Sequence, residues 1–147
     1  MDIDLVLAPV DCSDESETAV EYALAIADKY DADLHLLHIL DERVTRGLDT
    51  GDLSPESVAE QQRSFTGEVR KQCPDLDRIS ISQSSVLGFS PTRISQTPGS
   101  VILDGAEEIG ADFILIPRVT PSGEPDKVLG KASLHVLEYA SQPVLSV

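Results

Sequence analysis

Residues 4–40, "DLVLAPVDCSDESETAVEYALAIADKYDADLHLLHIL", contain two short apolar runs on either side of a helix-like segment. The runs Asp4–Val10 and Asp33–Leu40 have the length and composition of buried strands. Between them, apolar residues recur at helical spacing as far as about Tyr30, at Ala19, Val20, Ala23, Leu24 and Ala27. A strand, a helix and a second strand in this order predict a βαβ unit with parallel strands.

The predicted first helix begins with a cluster of polar residues. Ser13 and Asp14 are both good N-cap residues, and Asp14 followed by Glu17 fits an aspartate version of the capping box. The sequence leaves open which of the two is the cap. Asp11 stands directly after the first strand, where a carboxylate also stabilises the positive end of the helix dipole.

The rest of the chain continues the alternation of strands and helices. Three more strands are predicted, at Arg78–Leu87, Asp112–Pro117 and Pro143–Val147. Three more helices are predicted, from Pro55 to about Gln72, from Pro98 to Gly110, and over a stripe formed by Leu129, Ala132, Val136, Tyr139 and Ala140.

The second predicted helix starts at the N-cap Ser54, with proline at its first position. Its apolar face consists only of Val58, Phe65 and Val69, which predicts a partly exposed helix. The segments Asp41–Leu53 and Gly88–Thr97 are predicted to be loops, because they are polar and contain glycine or proline.

Five strands separated by helical connections predict an α/β fold of one domain over residues 1–147. The expected architecture is a doubly wound, open five-stranded parallel sheet with helices on both faces. Ligands of such sheets bind beyond the carboxyl ends of the strands, where the winding direction reverses. Asp11, Ile39–Glu42 and Pro117–Gly130 all follow strand ends and are therefore expected to share one rim.

The chain is strongly acidic. Asp and Glu total 26 against 11 Lys and Arg, which gives a net charge of −15 and a pI near 4.3. A dispersed acidic surface suits a high-salt cytoplasm, in which screening weakens its self-repulsion, and predicts a halophilic, archaeal source. The same charge excludes generic binding to nucleic acid or to anionic membranes, because no basic stripe is present.

The sequence has no apolar run near the length of a membrane span and no secretory signal, which predicts a cytoplasmic protein. Cys12 and Cys73 lie far apart and lack metal-ligand spacing, so we expect two free thiols. Cys12 stands at a helix start, where a thiol pKa falls, and a redox-reactive thiol is the alternative interpretation.

The candidate catalytic and metal-binding residues form no cluster in the sequence. His35 and His38 differ by an odd number along a strand and are expected on opposite faces, and His135 is isolated. No metal site is therefore predicted. Serines are frequent, but no Ser–His–Asp arrangement is recognisable, and catalysis is not expected.

Three segments, "VLAPVDCSDESETAVEYALAIADKYDADLHLLHILDE", "ILDGAEEIGADFILI" and "LGKASLHVLEYASQPVLSV", together cover about half of the chain. In their order and spacing they resemble single-domain universal stress proteins. The resemblance implies a homodimer formed through the last strand, with Val144, Leu145, Ser146 and Val147 at its edge. It also implies a role in stress survival or signalling, and many members of this family bind ATP.

ATP-binding members carry a loop of the form Gly, two residues, Gly, nine residues, Gly, then Ser or Thr. Laid on this sequence without a gap, the four positions are Pro117, Thr120, Gly130 and Lys131. The length is kept, but only one position agrees. Pro117 lacks a backbone donor, and Thr120 disfavours the close approach of a phosphate that glycine allows. Lys131, aided by Arg118 or Lys127, offers a point charge as partial rescue.

The part of the family site that holds the base and sugar is better preserved. The resemblance places Asp11 near the ribose and adenine, with Pro9 beside it, and Ile39 where the backbone contacts adenine. Val10 and Ala132 complete the candidate cleft. Two interpretations of Asp11 stay open, a ligand contact and a purely structural role at the helix start.

The sequence therefore predicts a regulatory or stress-response module that has lost tight ATP binding. The alternative is an adenine-nucleotide switch that binds ATP or AMP with at most feeble hydrolysis. A third hypothesis is a sensory domain that contacts an unknown regulatory protein through Ser54–Gln72 and Gly88–Thr97. No further cofactor is predicted.

Overall fold

The computed structural model describes residues 2–11, 13–73, 77–88, 97–118 and 128–147, with the backbone alone at residues 128, 130 and 131. Within these ranges the strands are β1 (Leu5–Val10), β2 (Asp33–Leu40), β3 (Ile81–Leu87), β4 (Phe113–Ile116) and β5 (Val144–Ser146). The helices are α1 (Asp14–Tyr30), α2 (Glu42–Thr50), α3 (Pro55–Gln72), α4 (Pro98–Ile109) and α5 (Val128–Tyr139).

The five strands form one parallel sheet in the order β3-β2-β1-β4-β5. The chain therefore winds outward from β1 in one direction through β2 and β3, and in the other through β4 and β5. This is the doubly wound α/β fold that the sequence predicts. The switch point lies between β1 and β4, where Leu7 is aligned with Ile114.

Helices cover both faces of the sheet. α1 and α3 pack on one face, against a core that includes Val6, Leu34, Leu36 and Leu115. α4 and α5 pack on the other face, against strand residues of opposite parity, Leu7, Leu37, Ile39, Ile114 and Ile116. Both cores are aliphatic, because strands buried on both sides of a parallel sheet need apolar residues at every position.

The segment Asp41–Leu53, predicted to be a loop, contains the helix α2, so that prediction is wrong. The Asp41 carboxylate accepts a hydrogen bond of 2.8 Å from the Val44 N–H, and Gly51 ends the helix with φ of 83°. Leu53 folds back and its N–H donates to the Gly47 carbonyl. None of its residues is fully buried, and its apolar side consists only of Val44 and Leu48, one turn apart and half-buried, a pattern too short to predict a helix from the sequence.

Two smaller expectations are also corrected. β3 begins at Ile81 rather than Arg78, because the Ser80 N–H donates to the Asp33 side chain instead of to a strand carbonyl and the pairing with β2 begins at Leu34 and Ile81. Tyr139 does not belong to the buried stripe of α5, since it is 63% exposed in the last turn of that helix.

The remaining predicted boundaries agree with the structure within three residues. α3 starts after the N-cap Ser54 with Pro55 at its first position, and on its thin apolar face only Val69 is fully buried, while Val58 and Phe65 are half-buried. Of the predicted loop Gly88–Thr97, residues 89–96 lie outside the described ranges. Within the described ranges, no helix combines the length and apolarity needed to cross a bilayer.

Candidate functional site

The carboxyl ends of β1, β2 and β4 meet at one edge of the sheet. β1 pairs with β2 on one side, with Val10 aligned to His38, and with β4 on the other. Asp11, the Ile39–Glu42 segment and Pro117 therefore follow three neighbouring strands, as expected. Thr120 and Cys12 fall outside the described residues, so their predicted roles remain predictions.

Asp11 is held by a compact hydrogen-bond network at the start of α1. Its Oδ1 accepts hydrogen bonds from the Ser13 N–H at 3.1 Å, from the Ser16 hydroxyl at 2.7 Å, and from the Ser13 hydroxyl. The Asp11 N–H in turn donates to the Ser16 oxygen at 3.0 Å. The carboxylate is thus fixed through one oxygen, and Oδ2 makes none of these bonds.

The cap of α1 differs from the predicted capping box. Ser13 is the N-cap, and its hydroxyl oxygen accepts from the Ser16 N–H at 3.2 Å. The residue three positions after the cap is therefore Ser16, and the Asp14–Glu17 box is wrong. Ser16 is fully buried, and its hydroxyl is satisfied there because it donates to the Asp11 carboxylate and accepts from the Asp11 N–H.

The carboxyl end of β2 offers backbone rather than side chains. The Ile39 side chain is only 3% exposed and belongs to the core under α4 and α5. Asp41, the next polar residue, uses its carboxylate to cap α2. A ligand at this end of β2 would therefore meet main-chain groups and the half-buried side of α2.

The carboxyl end of β4 differs from that of β1 in its hydrogen bonds. Pro117 is buried and has no N–H. The N–H of the next residue, Arg118, donates to the Val147 carbonyl at 2.6 Å, while the Val147 N–H donates to the Ile116 carbonyl at 3.0 Å. Neither of the first two residues after β4 thus offers a free backbone donor to an anion.

α5 begins at Val128, so Gly130 and Lys131 lie in its first turn. The first N–H groups of a helix have no partner within the helix and can meet an anion. Ala132, another predicted site residue, is 1% exposed and packs into the core. Pro9 and Val10 are likewise buried within β1, which leaves Asp11 as the polar side chain at that end.

The two histidines of β2 point to opposite faces, as predicted. His35 contacts the hydroxyls of Ser82 and Ser84 on β3, each at 2.8 Å. His38 is 2% exposed under α3, where its Nε2 contacts Gln83 Oε1 at 3.1 Å and Thr66 Oγ1 at 3.3 Å. Desolvation by burial lowers the pKa of both imidazoles below the usual value of 6.5.

The described residues contain no group of three side chains able to hold a metal ion. His135 packs beside Tyr139 with ring centroids 4.8 Å apart, away from the other histidines. Cys73 is a half-buried free thiol.

Sequence reasoning missed three contributors to the site. Ser16 carries a recognisable signal, because it stands three residues after Ser13, the position that a cap reaches. Asp41 carries a similar signal, an aspartate directly before a helix. No signal in the sequence predicts the hydrogen bond from the Arg118 N–H to Val147, since this bond depends on the pairing of β4 with β5.

The sheet order β3-β2-β1-β4-β5, with its switch point between β1 and β4, defines a doubly wound α/β protein. The model of the universal stress protein family matches residues 3–147. The chain therefore belongs to the universal stress protein family.

Two relatives of known family are similar along nearly the whole chain. Universal stress protein MJ0531 of Methanocaldococcus jannaschii is 26% identical over 145 residues, covering 97% of this chain and 80% of that protein. Universal stress protein YxiE of Bacillus subtilis is 28% identical over 146 residues, covering 97% of each.

Solved structures share the fold at lower identity. Hypothetical protein MJ0577 aligns with a TM-score of 0.73 at 22% identity, over 100% of this chain and 96% of that one. A universal stress protein in complex with cAMP aligns at 0.68 and 21%, over 100% and 98%. The Archaeoglobus fulgidus universal stress protein in complex with dAMP aligns at 0.58 and 20%, over 98% and 96%.

Proposed function

We propose that this chain is a homodimeric stress-response module that has lost tight ATP binding. In this proposal its cleft still receives a small adenine-containing ligand, of the size of AMP, at the end that holds the base and sugar. The observation that carries the proposal is the state of the backbone after β4. Pro117 has no N–H, and the N–H of Arg118 donates to Val147 at 2.6 Å.

A triphosphate needs several backbone donors and glycine-like access at this point of the loop. Pro117 and Arg118, the first two residues after β4, provide no free backbone donor and no glycine. Lys131 stands where the family motif has Ser or Thr, so the hydroxyl is also missing. Gly130 in the first turn of α5 keeps the one matching position. This turn supports contact with a single phosphate better than with three.

The base and sugar end supports retention of a smaller ligand. Asp11 is anchored through Oδ1 by Ser13 and Ser16, which orients the carboxylate without using Oδ2. Two structural relatives are complexes with cAMP and with dAMP, each carrying one phosphate. Both observations favour a nucleoside monophosphate over a triphosphate.

A thermal-shift titration tests the proposal. AMP is expected to raise the melting temperature with increasing concentration, while ATP with Mg²⁺ at micromolar concentration leaves it unchanged. Strong stabilisation by micromolar ATP would instead support the second candidate, an ATP-binding switch that uses Lys131 and the start of α5. Absorbance at 260 nm above that of the protein would show a ligand retained through purification.

The homodimer is proposed through β5 and the adjoining face of α5. Leu145 on β5 and Leu134 and Leu137 on α5 are 38%, 67% and 47% exposed, and the outer side of β5 is a sheet edge. Pairing two copies along this edge would satisfy its backbone groups and cover the leucines. Size-exclusion chromatography in molar salt is expected to give a dimer, and Leu145→Lys a monomer.

The dispersed acidic charge supports a high-salt setting for this module. The net charge is −15, and salt screens its self-repulsion. The free energy of unfolding is therefore expected to rise between about 0.1 M and about 2 M KCl. An unchanged unfolding transition would remove the halophilic part of the proposal.

A further inference from the structure

Hydrogen bonds, rather than a broad apolar face, hold α3 on the sheet. Of its 18 residues only Thr66 and Val69 are fully buried. The Thr66 hydroxyl donates to Gln83 Oε1 on β3, and one turn earlier Gln62 Oε1 accepts from the Ser85 hydroxyl at 2.7 Å. The position of α3 therefore depends on polar groups that must stay paired.

The buried imidazole of His38 lies at the centre of these contacts. Its side chain is 2% exposed beneath α3. Nε2 lies 3.1 Å from Gln83 Oε1 and 3.3 Å from Thr66 Oγ1, and the ring stands at 82° to that of Phe65 with centroids 5.9 Å apart. From its place on β2, this imidazole thus contacts both α3 and β3.

The second ring nitrogen of His38 is buried without a hydrogen-bond partner in the described part of the chain. A neutral imidazole has one donor and one acceptor, and the oxygens around Nε2 assign the proton to it, so Nδ1 carries a lone pair. Protonation turns Nδ1 into a second donor with no acceptor to receive its hydrogen bond. A buried donor of this kind costs free energy, and a charged one costs more.

Within the described residues, the charged groups on β1 and α1 offer His38 no counter-ion. Val10, which is aligned with His38 on β1, is apolar, and the Asp11 carboxylate accepts hydrogen bonds at the start of α1. Glu17 on α1 lines a groove that is open to solvent. Glu15, two residues before it, points to the opposite side of the helix.

The charged groups nearby on α3 and after β2 are also engaged elsewhere. Glu68 is paired with Lys71 at 3.1 Å, and the Arg70 guanidinium donates to the Ile81 carbonyl at 2.9 Å. The Asp41 carboxylate caps α2. β3 has no charged residue, so a protonated imidazole would stand beside neutral partners.

The charge on His38 therefore depends on whether α3 is closed over it. Burial lowers the pKa of His38 below 6.5, the hydrogen bond to Gln83 raises it in part, and the charge of His35, on the other face of β2, lowers it further. The closed position of α3 favours the neutral imidazole, whereas an opened α3 lets water solvate the cation. Proton binding below pH 6.5 is thus linked to opening.

We propose that the His38 contact is a pH-dependent device that releases α3 from β2 and β3 when the imidazole is protonated, while α1 stays on the sheet. Opening separates Thr66 from Gln83 and uncovers Phe65 and Val69. α1 is attached independently of this contact, because it buries an apolar stripe of its own, Ala19, Val20, Ala23, Leu24 and Ala27. The inference concerns a different part of the molecule from the nucleotide cleft and does not rest on the proposed ligand.

Amide hydrogen exchange of the full chain, followed residue by residue by NMR, tests the proposal. Rates are corrected for the intrinsic exchange rate at each pH, so that they report the population of the opened state. The opening constant of α3 amides is expected to exceed that of α1 amides and to rise about threefold to tenfold between about pH 7.5 and about pH 5.5. Low concentrations of urea should accelerate exchange in α1 more than in α3, because opening of α3 exposes less surface than global unfolding.

Matched histidine variants identify the group responsible. His38→Gln is expected to keep the opening constant of α3 within about twofold over the same pH range. His35→Gln is expected to leave most of the pH effect on α3. His35 contacts Ser82 and Ser84 on the other face of the sheet, and opening of α3 does not disturb these contacts.

Gln83→Glu is a second variant that keeps the test decisive if His38→Gln does not fold. It places a carboxylate beside Nε2, which favours the protonated imidazole in the closed state. Opening of α3 is then expected to stay constant or to decrease as the pH falls.

Three outcomes would overturn the inference. They are a single opening constant shared by α3 and α1, an opening constant of α3 that does not depend on pH, and a pH effect on α3 that persists in His38→Gln or in Gln83→Glu. No nucleotide enters these measurements, so their result is independent of the AMP titration.

Discussion

The carboxyl ends of β1 and β4 lie side by side, yet the residues that follow them are held by different kinds of hydrogen bond. After β1, Asp11 accepts three hydrogen bonds from Ser13 and Ser16. After β4, Pro117 removes one donor and Arg118 gives the next one to Val147. The residues after β1 and those after β4 share no hydrogen-bond partner among these contacts. A substitution at one strand end can therefore leave the geometry of the other unchanged.

The largest effect is expected on ATP affinity, when the changed residues after β4 are replaced by those of the family's ATP-binding motif. Replacing Pro117→Gly, Thr120→Gly and Lys131→Ser together returns the glycine access and the hydroxyl at the start of α5. We expect the affinity for ATP to rise about thirtyfold, which corresponds to about 2 kcal/mol. Isothermal titration calorimetry with ATP and Mg²⁺ measures the change.

The control for this restoration is AMP on the same triple variant. Its affinity is expected to change less than about threefold, because the base and sugar end is untouched. Asp11→Asn in the triple-variant background should weaken both nucleotides together. If the restored loop gained no ATP affinity, the proposal that the residues after β4 prevent tight ATP binding would be wrong.

A second prediction concerns the buried histidine of β2, the strand that pairs with β1. His38 is aligned with Val10, and the groups described around it, Phe65, Thr66 and Gln83, are all uncharged. Its pKa is lowered mainly by burial, raised in part by the hydrogen bond to Gln83, and lowered further by His35. The folded state therefore favours the neutral imidazole.

Because the folded pKa lies below the unfolded value of 6.5, the unfolded chain binds more protons as pH falls through 6.5. The contribution of His38 to the free energy of unfolding is therefore fully present above pH 6.5. Below this pH the free energy of unfolding decreases, by at most about 1.4 kcal/mol per pH unit for one histidine. Urea unfolding between about pH 7.5 and pH 5.5 measures this slope.

The histidine variants separate the two contributions to that slope. His38→Gln keeps a polar side chain beside Thr66 and is expected to remove most of the pH dependence, whatever its effect on absolute stability. His35, whose pKa is also lowered by burial, contributes in the same direction from the other face. If His35→Gln flattened the slope more than His38→Gln, burial under α3 would not be the dominant cause.

Most of the fold could be predicted from the sequence, because apolar periodicity and caps act locally. β2 was predicted with its observed ends Asp33 and Leu40, and α3 with its cap Ser54. α2 was missed because it is short, is capped by Asp41 and Gly51, and carries only two apolar residues, Val44 and Leu48, on its half-buried side.

The candidate site was predictable to a smaller extent. The position of Asp11 and the altered residue Pro117 are visible in the sequence. The bond from Arg118 to Val147 depends on the pairing of two strands separated by α5. The partner of Asp11, Ser16, was missed because the acidic Asp14 and Glu17 also fit a capping pattern.

The smallest expected effect tests whether the β1 end is a binding element or only a helix cap. Ser13→Ala removes the N-cap hydroxyl and is expected to lower the free energy of unfolding by about 1 kcal/mol. Ser16→Ala removes the bonds to the Asp11 N–H and Oδ1 and should lower it by a similar amount, about 1 kcal/mol. If Asp11 holds the ligand, Ser16→Ala also weakens AMP binding, because the carboxylate is no longer oriented. Thr18→Ala, on the exposed side of the same turn, is the control for both measurements. A loss of stability from Ser16→Ala with unchanged AMP affinity would assign Asp11 to the helix start alone.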